Sequence, residues 1–287
     1  MLDAAPPSAD PAPPMATDPP APQAAEPNRF WLAPAGLVIG CIGAICGIGG
    51  GLFATPLQHY GLGIPLKRAV ATSLALVFAT ACAATGAAAL RGDVELPWAL
   101  VLALLPTALI GAQIGFRLAQ EVPTLRLKQV FTVVLAVAAV RLLWTADRAE
   151  FVVTGDLSFA DYAMTSALGL IVGIVVPLLG IGGGLVVVPG MLLLVPQIGF
   201  PGARGVSLAV AVVTAGRSLF LFLRAGHVDP ASARRLGLGA FLGSAAGMQL
   251  VNVDGAARAG QLGLSGVMLF AAYRFARDVF TPQDDAD

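Results

Sequence analysis

Hydrophobic residues run in long blocks along this chain, among them Leu96–Ile114, Val130–Val140 and Tyr162–Leu179. A helix needs roughly 20 mostly apolar residues to cross a bilayer, and this pattern predicts eight hydrophobic segments. They lie near 31–58, 68–90, 96–117, 126–145, 160–195, 205–224, 234–251 and 260–280. Polar turns separate them, at Arg91-Gly92-Asp93, Glu121-Val122-Pro123 and Gly226-His227-Val228-Asp229-Pro230. The longest polar connection, Thr145–Asp161, divides the chain near its middle. Tyr60, Trp98, Trp144, Tyr162 and Tyr273 fall near segment ends, where amphipathic rings favour the membrane interface.

The two halves resemble each other. Gly47-Ile48-Gly49-Gly50-Gly51-Leu52 recurs as Gly180-Ile181-Gly182-Gly183-Gly184-Leu185, and Pro56 recurs as Pro189. Ser73-Leu74-Ala75 matches Ser207-Leu208-Ala209, Arg91 matches Arg224, Gly111 and Gly115 match Gly243 and Gly247, and Arg141 matches Arg274. The expected fold is an all-α polytopic membrane protein of two related four-segment repeats with glycine-broken helices. Residues 29–145 form the first transmembrane repeat and 161–280 the second, joined by a linker at 146–160. A tail at 1–28 and a short C-terminal tail at 281–287 flank them. The first tail is rich in Ala and Pro, with Asp3, Asp10, Asp18 and Glu26 as its charges, and is expected to be disordered. No Lys or Arg precedes Arg29 and no apolar core precedes Trp31, so a cleaved signal peptide is not expected.

Composition agrees with a membrane setting. Of 287 residues 57% are hydrophobic and 12% charged, against about 25% charged in a soluble domain. Net charge is zero, which gives no reason to expect a nucleic-acid partner. Cys41, Cys46 and Cys82 lie in apolar segments without a C-x-x-C pair, and the chain has two histidines, so neither a disulfide framework nor a zinc site is expected. No cofactor is expected. There is no Gly-Lys-Ser/Thr, G-x-S-x-G or H-E-x-x-H motif, and both His59 and His227 sit in or beside loops, which argues against an intramembrane enzyme.

The glycine runs are the candidate site. Each Gly in a helix interior costs roughly 1 kcal/mol relative to Ala, so Gly47, Gly49, Gly50 and Gly51, and likewise Gly180, Gly182, Gly183 and Gly184, should bend or unwind their segments. Non-helical backbone at membrane depth is tolerated where it is buried in protein or lines a watery cavity. Freed N–H groups and the positive end of the next half-helix would attract an anion. The alternative is close helix packing through small residues, which is the expected role of Gly36, Gly40, Gly111, Gly115, Gly243 and Gly247.

The paired G-x-G-G-G-x(4)-P elements at Gly47–Pro56 and Gly180–Pro189, Ala71-Thr72-Ser73-Leu74 after the first, and the four-plus-four layout resemble the sulfite exporter TauE/SafE family over roughly 31–280. The second half departs from it, with Gly205-Val206-Ser207-Leu208 lacking the Thr. The resemblance implies a permease for sulfite or organosulfonate-type anions in the bacterial cytoplasmic membrane. Another small anion or a metal complex is the alternative cargo. A small anionic substrate and the lipid bilayer are the expected partners, and a homo-oligomer is compatible.

Thr72, Ser73 and Ser207 follow the glycine elements, where their hydroxyls bond either an oxyanion or the preceding turn of their own helix. Arg217 lies deep in an apolar segment. Intramembrane charges are costly and usually face a polar interior, so it either helps to hold an anion or snorkels to the nearer interface. Lys/Arg placement bears on topology. If all eight segments cross, nine basic residues fall inside and seven outside with Arg217 set aside. If the two glycine-broken segments re-enter, only Arg91, Arg141, Arg148, Arg204 and Arg258 fall outside and eleven inside, which fits the positive-inside rule better. The halves would then be inverted repeats.

Overall fold

The computed structural model describes residues 29–91, 97–121, 157–179, 182–251 and 255–280, with single positions at 132, 136, 139, 140 and 143. The expected tail at 1–28, most of the segment at 126–145, most of the linker and Gly180 lie outside the described residues. Every regular element among the described residues is helical.

The first half opens with α1 (Leu32–Cys46), which stops where Gly47 turns left-handed at φ 75° and returns its N–H to the Gly43 carbonyl. Such an αL glycine is the usual device for closing a helix, because a Cβ would be strained there. Ile48 N–H also reaches the Gly43 carbonyl, at 3.0 Å. Gly49 and Gly50 are left-handed too, and the chain restarts as the short α2 (Gly51–Pro56). Pro56 has no N–H to give the helical ladder, and a π-helical turn follows at Leu57–Gly61. Then come α3 (Leu66–Arg91) and α4 (Trp98–Glu121). The second half supplies α5 (Phe159–Leu179), α6 (Gly184–Leu194), a 3-10 turn at Pro196–Ile198, α7 (Gly199–Arg224), α8 (Pro230–Leu250) and α9 (Ala256–Phe280). Pro230 occupies the first turn of α8, and Asp229 caps it by accepting from Ala231 N–H at 3.2 Å and from the Ser232 hydroxyl at 2.6 Å.

Among the described residues four stretches are long and apolar enough to cross a membrane: Lys67–Leu90, Trp98–Leu118, Phe159–Leu178 and Pro196–Arg224. The 15 residues of α1 extend about 22 Å at 1.5 Å each, short of the ~30 Å hydrocarbon core. The 21 residues of α5 reach that thickness. Leu102, Ile110, Ile171, Leu238 and Leu242 stand exposed on the helix exteriors, as a lipid-facing surface requires.

Small residues bring helices together in two tight pairs. In one, a methyl group added at Gly247 would lie 2.7 Å from the Cys41 carbonyl oxygen, Gly243 lies against Leu37 and Gly239 against Ala33. The partner numbers rise together, so α1 and α8 run in the same direction. In the other, Gly173 lies against Ala108 and Ala112, Gly169 against Leu104, and Gly115 against Ile174, so α4 and α5 are also parallel. The glycines expected to serve packing do so here, by backbone-to-backbone approach. Thr72 contacts Asp229, and Ser244 donates to the Thr80 carbonyl at 2.8 Å, so α3 runs parallel to α8. Arg217 bonds Gln113, and the Phe116 and Phe222 rings meet edge-on at 5.1 Å, so α7 runs parallel to α4. The α3 start lies beside the connection that leaves α7, which makes these two antiparallel. Thus α1, α3 and α8 point one way, and α4, α5 and α7 the other.

Candidate functional site

The two glycine breaks meet in the interior. A Cβ at Gly184 would strike the Gly47 carbonyl oxygen and the Ile48 Cα, and one at Gly182 would come within 3.0 Å of the Ile48 carbonyl oxygen. Only glycine permits this approach, and at Gly47, Gly49 and Gly182 the backbone is also left-handed, at φ 75°, 70° and 76°. Val77 of α3 wedges between the breaks. Its Cγ1 would lie 2.9 Å from a Cβ at Gly49 and 2.8 Å from one at Gly182. Gly50 faces Ile39 and Leu76, Gly183 faces Val172 and Val176, and Gly51 is buried at the start of α2. The crossing is therefore lined by apolar side chains on several sides.

The hydroxyls attach to this crossing in different ways. Ser207 of α7 donates to the Gly47 carbonyl at 2.7 Å, across 160 positions of sequence, and both groups are buried. Ser73 of α3 donates to its own helix at the Val70 carbonyl, 2.8 Å, and accepts from the Thr55 hydroxyl at 2.9 Å. It sits one turn before Val77, about 6 Å along the helix. Thr72 accepts from the Asp229 N–H at 3.1 Å and so ties α3 to the start of α8. Gln58 is fully buried in the π-helical turn; its amide donates to the Ala54 carbonyl at 3.1 Å, and its Oε1 has no partner among the described residues.

Arg217 is placed apart from the crossing. Ten residues separate it from Ser207 on α7, about 15 Å along the axis. Its side chain is exposed, bonds Gln113 Oε1 at 3.3 Å, and lies 6.0 Å from the centre of the Phe220 ring.

A different arginine occupies the crossing. Arg204 is 2% exposed, and its Cγ would be 2.7 Å from a Cβ at Gly47. Its Nη1 is enclosed without a hydrogen-bond partner among the described residues. Hydropathy starts the segment at 205 and leaves Arg204 outside the membrane. In the structure α7 begins six residues earlier, at Gly199, which puts Arg204 in its second turn and in the core. The signal available in sequence is its spacing: Arg204 stands three residues before Ser207, on the same helix face. Thr55 was equally open to recognition as a hydroxyl beside the first glycine run, and Val77 carries no sequence signal of its role.

The family model for the sulfite exporter TauE/SafE matches residues 6–142 and 165–286. The probable membrane transporter protein MamO of Paramagnetospirillum magneticum is 37% identical over 117 residues, 39% of this chain and 18% of that protein. The probable membrane transporter protein YunE of Bacillus subtilis is 29% identical over 107 residues, 37% of this chain and 38% of YunE. A probable membrane transporter protein of Xylella fastidiosa is 29% identical over 159 residues, 55% of this chain and 60% of that protein. Each match thus spans less than two thirds of the relative's length. No solved structure matches the chain significantly. With paired glycine breaks, apolar helices and a family match over most of its length, the chain belongs to the sulfite exporter TauE/SafE family of membrane transport proteins.

Proposed function

We propose that this protein is a multi-pass permease of the bacterial cytoplasmic membrane that moves a small sulfur oxyanion, sulfite or an organosulfonate, by alternating access. The observation that carries the reading is the crossing itself: two glycine breaks from opposite halves packed backbone to backbone at Gly47, Ile48 and Gly184. Irregular backbone at membrane depth is costly unless it serves a site, and paired broken helices between repeats are a recurrent transporter plan.

Helix directions support a two-fold relation between the halves. Exchange of the halves maps α1 onto α5, α3 onto α7 and α4 onto α8. The same exchange turns the parallel pair α1·α8 into the parallel pair α5·α4, and α3·α8 into α7·α4, while it reverses direction. That is the pattern of inverted repeats. The parallel run of α1 and α3 supports a re-entrant first segment, because the chain must return to its starting side between them. Motion of one half against the other about the glycine crossing would open the site to each face in turn.

The test is uptake into proteoliposomes that hold the full chain, with labelled sulfite, sulfate and an alkylsulfonate, and with phosphate and acetate as comparison anions. Saturable uptake of a sulfur anion is expected. Uptake of none of the sulfur anions above empty-liposome background would remove the proposed cargo.

A further inference from the structure

We propose that Arg204 is the charged half of an oxyanion-binding site at the glycine crossing, a residue that engages the anion directly. The inference rests on the permease reading for its location on a transport path, but not for the chemistry that follows.

A guanidinium is among the most expensive groups to enclose. Buried polar atoms are nearly always hydrogen-bonded, and buried charges are paired, because an unpaired one forfeits its hydration with nothing in return. Arg204 is 2% exposed, and its Nη1 lacks a partner among the described residues. The nearby polar backbone offers little relief. The Gly47 carbonyl already accepts from Ser207, and the Gly184 backbone closes over it. Nor is the burial incidental. Gly47 lacks a side chain where the Arg204 stem passes, and the clearance there is too small for even a methyl group. The glycine break has thus made room for this arginine, while the contrasting Arg217 keeps an exposed guanidinium with Gln113.

An enclosed arginine without a carboxylate partner among the described residues suits a small anion. Arginine keeps its proton under all physiological conditions, and its planar fork presents two parallel N–H donors to two oxygens of one group. The matching ligand class is a compact oxyanion with at least two oxygens on one centre: sulfite, sulfonate, sulfate, phosphate or carboxylate. Ser207, one turn along the same face, holds the Gly47 backbone in place beside the arginine.

The experiment uses the full chain, purified in detergent in an oxyanion-free buffer, with thermal unfolding followed by tryptophan fluorescence. Sulfite, sulfate, methanesulfonate, phosphate and acetate are titrated in turn, with chloride as the reference salt. For the wild-type protein at least one oxyanion should raise the midpoint saturably above chloride. Arg204→Met should unfold at a higher temperature than wild type in chloride, because it removes an uncompensated buried charge, and should lose the oxyanion shift. Arg204→Lys keeps a charge without the fork, so its apparent affinity should fall roughly tenfold; this variant carries the test if the methionine variant does not fold. An unchanged oxyanion shift in Arg204→Met, unchanged affinity in Arg204→Lys, or no oxyanion response in wild type would each overturn the inference. Transport separates it from the permease reading. Sulfur-anion uptake that persists in Arg204→Met removes the inference and leaves the permease. Binding of phosphate alone that requires Arg204, without uptake of any sulfur anion, removes the proposed cargo and leaves the inference.

Discussion

Gly47 and Gly63 both hold left-handed backbone, at φ 75° and 65°, but only Gly47 is crowded; nothing lies within 4 Å of a Cβ built on Gly63. Ala at position 63 should therefore cost only the conformational term, about 1 kcal/mol. Gly47→Ala adds collision with the Arg204 stem and should cost about 1–3 kcal/mol more. Thermal unfolding of the two variants under one condition measures the difference, and equal losses would show that the crossing is not tightly packed. Ser207 and Thr214 offer a similar contrast. Both are buried hydroxyls on α7, but Ser207 donates to Gly47 in the other half, whereas Thr214 donates to Val210 in its own helix at 3.0 Å. Ser207→Ala leaves a buried carbonyl short of a donor in the break and should destabilise by about 1–3 kcal/mol. Thr214→Ala should cost clearly less, since the Val210 carbonyl belongs to a helix interior. Arg217 is exposed, so Arg217→Gln should leave proteoliposome transport within about twofold of wild type, the range expected of a surface substitution. A loss comparable to that in Arg204→Met would identify Arg217 as a substrate contact.

At the scale of elements, the α1·α8 and α4·α5 pairs depend on glycines that let backbones touch. At Gly243 a Cβ would strike the Leu37 carbonyl, while at Gly266 of α9 nothing lies within 4 Å. Gly266→Ala should be neutral or stabilise by up to about 1 kcal/mol, from the better helix propensity of Ala. Gly243→Ala must push α1 and α8 apart and should lose about 1–3 kcal/mol. Unfolding midpoints and monodispersity in detergent report both. Thr55, Ser73 and Thr72 show a second kind of tie. They link α2 to α3, and α3 to the start of α8, through hydrogen bonds rather than close backbone approach. Such bonds hold α2 against its neighbour α3.

For the whole molecule the sharpest test is topological. On the proposed re-entrant arrangement, which the parallel run of α1 and α3 supports, the chain comes back after the Gly47–Gly50 break and Lys67 is expected on the same membrane face as Arg29. The 26 residues of α3 extend about 39 Å, so Arg91 is expected on the opposite face. Single cysteines at positions 29, 67 and 91, after replacement of Cys41, Cys46 and Cys82, can be labelled from either side with an impermeant maleimide. Positions 29 and 67 should label together and 91 from the other side. Labelling of 29 and 67 from opposite faces would sink the re-entrant reading.

Class, element type and the places where helices break were determined by the sequence alone, because these depend on what lies within a few residues. Blocks of apolar side chains specify membrane helices, and four glycines in five positions cannot sustain one. The matched landmarks of the halves were equally legible, since spacing survives in one dimension. Partner choice was not. The crossing joins Gly47 to Gly184 and Ser207, well over 100 positions away. No local pattern says which small residue will face which. Arg204 shows the same limit. Flanked by Gly202, Ala203 and Gly205, it reads as part of a polar connection, and hydropathy averages over a window without seeing the helix that covers it. Only when α7 starts at Gly199 and packs against the first glycine break does this charge become enclosed. Burial is a property of neighbours in space, and for a charge it decides between an idle surface group and a site.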